Sequence, residues 1–332
     1  MPHLAASPHQ GSARASLYED ITSRIIAELE AGRLPWAQPW DAGQASVGLP
    51  YNVVSDRRYS GINILTLWHA VMTRGFRGHG FLTFRQAAAL GGSVRRGERG
   101  IGVVYTRRAG SGTSEPHKDG EGERKAGFAF LKQFTVFSVD QCDDLPDKYH
   151  VPAAPIPDGL ILPQAEALIA ATGADFRIGG ASAYYSPRHD FVAVPHPQDF
   201  FEPVDWHRTA FHELGHWTGH ASRLDRNQTG SFGSKPYGRE ELVAEMAGAF
   251  VCAALGISPT VRHADYIGSW LEIIREDHRA ILRAASAASK AADYLLAFRP
   301  DTPAPRAAAS AATLSVLPGG VENGLVIERI AA

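Results

Sequence analysis

Two histidines and a glutamate in the run DWHRTAFHELGHWTGH have the residue types and spacing of a metal site. An α-helix has 3.6 residues per turn, so His212 and His216 lie one turn apart on one face and can bind one zinc ion. Glu213, between them, can take a proton from a water molecule that the metal polarises, because zinc lowers the pKa of such a water to about 7. The spacing predicts a hydrolytic site, although a helix with two ordinary histidines also produces it.

A hydrolytic zinc site needs a third protein ligand and an open fourth position. One known extension, HExxHxxGxxH, ends in a histidine; Gly219 fits it, but Ser222 occupies the ligand position. The alternative is a glutamate from a later helix, and the run REELVAEMAG is rich in helix-forming residues. Glu241 and Glu245 share a face at i, i+4, so we predict Glu241 as the third ligand and Glu245 as the carboxylate that orients a ligand histidine. These two roles could be exchanged, and Glu240 is expected to point away into solvent.

The charge is unevenly distributed, although the formal net charge is only −2. Residues 51–108 contain ten arginines and two acidic residues, whereas residues 135–200 contain three basic and nine acidic residues. Arginines interleaved with aromatic residues favour single-stranded nucleic acid, because arginine contacts phosphates and aromatic rings stack on bases. Alternatively, the aromatic residues are core and the arginines a solvated rim, and Phe76, Phe81 and Phe84 are predicted core residues. The predicted DNA contacts lie in turn-like, polar surroundings: Arg57, Arg58, Tyr59, Arg95, Arg96 and Arg99.

The pattern of helices, strands and linkers predicts an α+β chain with two domains. A disordered leader (1–15) precedes a first domain (16–145), a linker rich in Asp and Pro (146–163), a second domain (164–298) and a low-complexity tail (299–332). Helices are predicted at 16–31, 61–74, 83–90, 164–172, 205–219 and 237–255, with a largely helical 259–298. Strands are predicted at 51–54, 101–106, 128–139, 176–178, 183–185 and 191–194.

Several classes of protein are excluded by the sequence. Cys142 and Cys252 are far apart, which excludes a cysteine-cluster zinc site and suits a reducing compartment. No apolar run approaches the roughly 20 residues that span a membrane, and the N-terminus lacks the apolar core of a signal peptide. We therefore expect a cytoplasmic protein with no membrane partner.

Several segments resemble a known family. LPWAQPW, YSGINILTLW, FLTFRQAAALGGSVRRGERGIGVVY and FLKQFTVFSVDQC are similar to the N-terminal domain of ArdC-type antirestriction proteins, which also occurs in some plasmid-transferred primases. HELGHWTGHASRLDR and YGREELVAEMAGAFVCAALGI resemble the zincin metallopeptidase domain that follows it. The resemblance runs from about residue 16 to residue 298, in the family's domain order.

This resemblance implies an N-terminal α/β domain of the DUF1738 type that binds single-stranded DNA, followed by a zincin-like metallopeptidase domain. The second domain would contain a small sheet, the HExxH helix and C-terminal helices. His212, His216 and a glutamate of EELVAE would bind Zn²⁺, or another divalent ion such as Mn²⁺, and Glu213 would be catalytic. The implied role is to shield incoming plasmid DNA from host restriction enzymes during conjugation.

Three hypotheses for the function remain open from the sequence. The first is a DNA-targeted metallopeptidase with an unknown protein substrate, in which Tyr237 or His220 supplies the oxyanion donor. The second is a single-stranded-DNA-binding protein whose metal is only structural, which predicts four protein ligands instead of an open position. The third is a peptidase that acts without DNA, which predicts no salt-dependent DNA binding.

Overall fold

The computed structural model describes residues 9–37, 45, 47–108, 129–150, 158–231, 233–259, 266–299 and 314–316. Residues 1–8 of the predicted leader, 151–157 of the predicted linker and most of the predicted tail lie outside the described residues. Helices begin inside the predicted leader and the predicted linker, at His9 and at Asp158. The predicted α+β class is confirmed, because helices and two larger sheets alternate along the chain. Within the described residues, no helix has the length and hydropathy needed to cross a lipid bilayer.

The first half of the chain builds a five-stranded sheet in the order β2-β1-β3-β6-β5, with β1 and β3 parallel and the other neighbours antiparallel. Its helices are α1 (His9–Glu30), α2 (Ile62–Arg74) and α3 (Phe84–Ala89). Its strands are β1 (Tyr51–Asn52), β2 (Arg57–Arg58), β3 (Gly80–Leu82), β4 (Ser93–Val94), β5 (Ile101–Arg108), β6 (Ala129–Ser138) and β7 (Cys142–Asp143). Strands β4 and β7 pair separately, and β5 and β6 form the long hairpin that the alternating sequence predicts.

Local signals determine where the helices of this half begin and end. Helix α2 ends at Gly75, whose φ of 66° suits glycine and whose N–H donates to the carbonyl of Val71. Helix α3, predicted at 83–90, begins with a capping box in which Thr83 and Gln86 exchange hydrogen bonds. Helix α1 begins at His9, seven residues before the predicted start at residue 16.

The second half contains a four-stranded sheet in the order β11-β8-β10-β9, in which only β9 is antiparallel to its neighbour. Its strands are β8 (Asp175–Ile178), β9 (Tyr184–Ser186), β10 (Phe191–Val194) and β11 (Leu314–Val316). Its helices are α4 (Asp158–Ala171), α5 (Pro203–Trp217), α6 (Lys235–Ala254), α7 (Ile267–Glu276) and α8 (Ala280–Leu296). Strand β9 is at the edge of this sheet, so among the described strands only β10 pairs with it and one row of its backbone groups is left unpaired by them.

One hydrophobic cluster joins both halves and extends from α1 to α8. The Trp68 ring of α2 packs edge-on against Phe250 of α6, with ring centroids 5.6 Å apart. Trp36 makes the same kind of contact with Trp270 of α7, at 5.5 Å. The backbone N–H of Gly61 donates to the Ser289 hydroxyl of α8 over 2.6 Å. The two halves therefore share a core.

The shared core predicts that Trp68→Ala weakens both halves together. Trp68 is fully buried, and truncating such a side chain costs about 3–5 kcal/mol of unfolding free energy. Amide hydrogen exchange should accelerate in both halves, with one cooperative transition in circular dichroism. Phe84 was predicted to be core but is 61% exposed, so Phe84→Ala is the matched control and should change stability by less than about 0.5 kcal/mol. Faster exchange confined to the first half would contradict a shared core.

Candidate metal centre

Helices α5 and α6 form the centre because two glycines let their backbones approach closely. A Cβ on Gly215 would lie 3.2 Å from the backbone of Ala244, and one on Gly248 would lie 3.2 Å from the backbone nitrogen of His212. Larger residues would push the helices apart. Pro203, whose fixed φ suits the first helical position, begins α5, and Ser234 caps α6 by accepting from the N–H of Tyr237.

Three donor side chains meet between these helices. Glu241 Oε2 lies 3.4 Å from His212 Nε2, and its other oxygen lies 3.4 Å from His216 Nε2. One ligand atom from each residue lies within 4.8 Å of the others, and all three side chains are buried. Two imidazole nitrogens and a carboxylate oxygen at this spacing fit a divalent ion such as zinc or manganese. These are the three residues that would hold the ion.

Each histidine has a second carboxylate at its other ring nitrogen. Glu245 Oε2 lies 3.1 Å from His212 Nδ1, and Glu240 Oε1 lies 3.3 Å from His216 Nδ1. Carboxylates in this position fix the tautomer and orientation of a ligand histidine and make it a stronger base. The structure therefore places Glu241 between the two histidines and Glu245 behind one of them.

The expectation that Glu240 is solvated is wrong, because Glu240 is only 8% exposed. The segment after α5 covers it: Arg226 donates to both carboxylate oxygens, over 2.7 and 3.1 Å, and Gln228 donates over 3.2 Å. Arg226 also donates to the carbonyl of Gly215 on α5. Burial opposes ionisation, but His216 and Arg226 outweigh it and lower the pKa of Glu240, which keeps this carboxylate charged.

The electrostatic environment of the centre favours positive charge. Burial alone would lower the pKa of His212, but hydrogen bonds with Glu241 and Glu245 outweigh it and raise the pKa to about 10. For His216, Glu240 and Glu241 likewise overcome burial and raise the pKa to about 9. The same contacts hold the pKa of Glu241 well below its usual range, although burial opposes this. The carboxylates that favour protonation of His212 and His216 would equally favour a divalent cation bound between them.

The centre opens onto a cleft of about 370 Å³. Glu213, which is 6% exposed, lies in its wall next to the ligand histidines. The edge strand contributes Tyr184 and Tyr185, and Tyr237 and Tyr266 line another part of the wall. The cleft therefore brings together the three donors, a further carboxylate and an extended backbone segment.

The contact of Glu240 with His216 predicts that Glu240→Gln weakens metal binding. Loss of the charged partner should reduce affinity about 10- to 100-fold, the usual effect of removing such an outer carboxylate. Competition with a chromophoric chelator measures the change. Glu276→Gln is the control, because this carboxylate pairs with Lys235 on the surface, about half exposed. Equal affinities for the two variants would contradict the assigned contact.

The predicted DNA-contact residues are divided between two sheets. Arg57 and Arg58 form the exposed edge strand β2, and Arg95, Arg96 and Arg99 are exposed in the turn after β4. Arg95 is paired with Glu98 of the same turn and with Asp143 of strand β7.

Tyr59 was predicted as a DNA contact, but it is only 5% exposed. Its ring packs edge-on against Phe81, with centroids 6.3 Å apart. The polar neighbours of Tyr59 in the sequence suggested a surface position, but its side chain points into the core. In this conformation the ring cannot stack on a base.

Comparison with known proteins yields matches over both halves. The model of the N-terminal domain of anti-restriction factor ArdC matches residues 15–137, and that of a zincin-like metallopeptidase matches residues 163–287. An uncharacterised protein of Sinorhizobium fredii, y4eC, is 39% identical over 289 residues, which cover 86% of this chain and 93% of the relative. DNA primase TraC of Escherichia coli is 37% identical over 297 residues, covering 85% of this chain but only 27% of the primase.

Solved structures of the antirestriction ArdC protein from the R388 plasmid also match. The Mn(II)-bound structure has a TM-score of 0.69 and 39% identity, covering 86% of this chain and 98% of that protein. The metal-free structure has a TM-score of 0.70 and 37% identity, covering 86% and 99%. The fold and the domain order predicted from the resemblance are thus those of the matched proteins. The chain belongs to the ArdC-type antirestriction family, with an ArdC N-terminal domain and a zincin-like metallopeptidase domain.

Proposed function

We propose that this protein binds single-stranded DNA through its first half and hydrolyses peptide bonds at the metal centre of its second. In this role it would protect incoming plasmid DNA during conjugation, in the cytoplasm. The observation that carries the proposal is the convergence of His212, His216 and Glu241 beside Glu213 in an open cleft. The antirestriction name of the solved relatives and the DNA primases among the sequence relatives support the DNA-related part.

His212, His216 and Glu241 would hold a divalent ion, which we propose to be zinc with Mn²⁺ as the alternative, and the bound ion would supply Lewis acidity towards water and a scissile carbonyl. Glu213 adjoins the ligand His212, so its carboxylate can accept a proton from the attacking water and return it to the leaving amine. Glu245 and Glu240 hold the two imidazoles in orientation. The edge strand β9 offers backbone groups to an extended peptide, as an added strand would pair with it.

Tyr237 is the better of the two predicted oxyanion donors. Its hydroxyl lies in the cleft, 3.3 Å from the Tyr266 hydroxyl, whereas His220 bonds to Ser222 and does not belong to the described lining of the cleft. Burial, Tyr266 and Glu241 all raise the pKa of Tyr237. The phenol therefore keeps its proton and can donate it to a developing oxyanion.

This role predicts that Tyr237→Phe lowers kcat about 10²- to 10³-fold, the usual effect of removing one oxyanion donor. Metal content should not change, because the ring and its packing are retained. The measurement is steady-state hydrolysis of a peptide substrate at saturating metal. His220→Ala is the control and should retain wild-type kcat. A Tyr237→Phe variant with normal kcat would exclude the phenol as the donor.

The alternative of a purely structural metal predicts four protein ligands, since structural zinc sites are closed. Three donors facing a cleft favour an enzyme. The decisive experiment combines two readouts on the full chain. Fluorescence anisotropy with labelled oligo(dT), between 50 and 200 mM salt, should show affinity that falls steeply as salt releases counterions.

The second readout is proteolysis of a mixed peptide library by wild-type protein and Glu213→Gln. We expect cleavage by the wild type alone, with equal DNA binding by both. Salt-independent binding would contradict the DNA function, and equal cleavage by both proteins would contradict the peptidase function. Transfer of an unmodified plasmid into a restricting recipient then tests whether either activity accounts for protection.

A further inference from the structure

The β5–β6 hairpin has an unusual composition for an exposed part of the sheet. Its two strands contain three basic residues, Arg107, Arg108 and Lys132, and neither aspartate nor glutamate. Strand β5 lies at the edge of the five-stranded sheet, so β6 is its only sheet neighbour among the described strands. A hairpin with this composition favours a polyanion over a basic partner.

Two aromatic side chains are exposed on this hairpin. Tyr105 is 47% and Phe134 38% exposed, whereas Trp36, Trp68 and Phe81 of the same half are fully buried. The two rings lie edge to face, with centroids 5.5 Å apart and planes at 82°. Lys132 Nζ lies 4.9 Å from the centre of the Phe134 ring.

The strand register explains why these three side chains are neighbours. Tyr105 pairs with Lys132, and Phe134 follows Lys132 by two residues on the same strand. Opposite residues and alternate residues project to the same face of a sheet, so all three share one face. Farther along that face, Val103 and Val136 are buried in the core, which fixes the inner end of the hairpin. The rings are thus held on two paired strands whose inner ends belong to the core.

Exposed aromatic rings lose the roughly 1.5–3 kcal/mol that burial of a large apolar side chain provides. Two exposed rings that touch each other form a small apolar patch, and such patches are where ligands bind. A ligand that matches these groups has flat π faces for the rings and negative charge for the ammonium group. An unpaired nucleotide has both, and a base accepts any aromatic face regardless of its identity.

We propose that Tyr105, Phe134 and Lys132 form a stacking site for unpaired bases, with Lys132 contacting the adjacent phosphate. The inference rests on the proposed binding of single-stranded DNA and specifies where the bases lie. Tyr105 and Phe134 would then be the aromatic part of the interface, in place of Tyr59, whose ring is buried.

The test is anisotropy with labelled oligo(dT) and the full chain. Tyr105→Ala with Phe134→Ala should raise the dissociation constant about 5- to 150-fold for each stacked base, from the measured range of base–aromatic stacking. The salt dependence should not change in this double variant, because no phosphate contact is lost. Lys132→Ala should instead reduce the slope of log affinity against log salt by about 0.7, the value for one phosphate on a single strand.

Two further variants separate stacking from a change in folding. Phe84→Ala removes another exposed ring of the same half, on α3, and should leave oligo(dT) affinity unchanged. Tyr105→Trp keeps an aromatic face, so it should bind like the wild type and its added fluorescence should be quenched by oligo(dT). Thermal midpoints close to the wild-type value establish that the alanine variants are folded.

The outcomes distinguish this site from the function on which it rests. A wild-type protein that does not bind oligo(dT) would overturn the DNA function and the site with it. A wild-type protein that binds, together with a folded double variant of equal affinity, would overturn the site alone. A double variant that loses self-association in size-exclusion chromatography while retaining DNA affinity would assign the two rings to a protein interface and also overturn it.

Discussion

Glu213→Gln is expected to lose about 10²- to 10⁴-fold in peptidase kcat while it retains its full complement of metal. Glutamine occupies the same volume but cannot accept a proton, so the loss is that of a general base. The ligands are not altered, since Glu213 is not one of the three donors that converge. Hydrolysis of a fluorogenic peptide, with metal measured by atomic emission, tests both statements.

The matched control for this variant is Glu276→Gln, which neutralises a carboxylate on the surface rather than one in the cleft. It should have wild-type kcat and metal content. Undiminished hydrolysis by Glu213→Gln would exclude this carboxylate as the base. A variant that loses metal together with activity would instead indicate that Glu213 helps to hold the ion.

His212→Ala is the second variant with a large expected effect, and it acts on metal content. The substitution removes one of three donors and leaves Glu241 and Glu245 without the imidazole between them. Removal of one partner of a buried charged pair commonly costs about 3–5 kcal/mol. We expect the purified variant to contain no stoichiometric metal and to unfold at a lower temperature.

Metal titration with thermal unfolding provides the measurement. A ligand at 100 times its dissociation constant stabilises a folded protein by about 2.7 kcal/mol, so metal should raise the midpoint of the wild type. The midpoint of His212→Ala should not respond. His220→Ala, which changes a histidine outside the described lining of the cleft, should respond like the wild type. A metal response retained in His212→Ala would exclude this residue as a ligand.

Much of the centre is predictable because helical periodicity is a local property. His212 and His216, four residues apart, and Glu241 and Glu245, also four apart, lie on the helices that the sequence predicts. The Thr83 cap is found for the same reason, because a capping box is a pattern of neighbouring residues. These parts need no knowledge of the rest of the chain.

The parts that were missed depend on contacts between distant residues. Glu240 is buried because Arg226, on another segment, reaches it, and the periodicity of α6 does not contain this information. Tyr59 was expected at the surface and is buried, whereas Phe84 was expected in the core and is exposed. Local composition does not indicate which side chains the core will cover. The contact between Trp36 and Trp270 joins residues more than two hundred positions apart.

The tryptophan contacts between the halves also bear on how such genes can be rearranged. Separating the halves would remove the partner of Trp68 in one half and of Phe250 in the other, so each half would expose part of its core to water. A gene that always carries both halves together avoids this exposure of the core. The TraC primase matches 85% of this chain within 27% of its own length, as expected when both halves move into a larger polypeptide together.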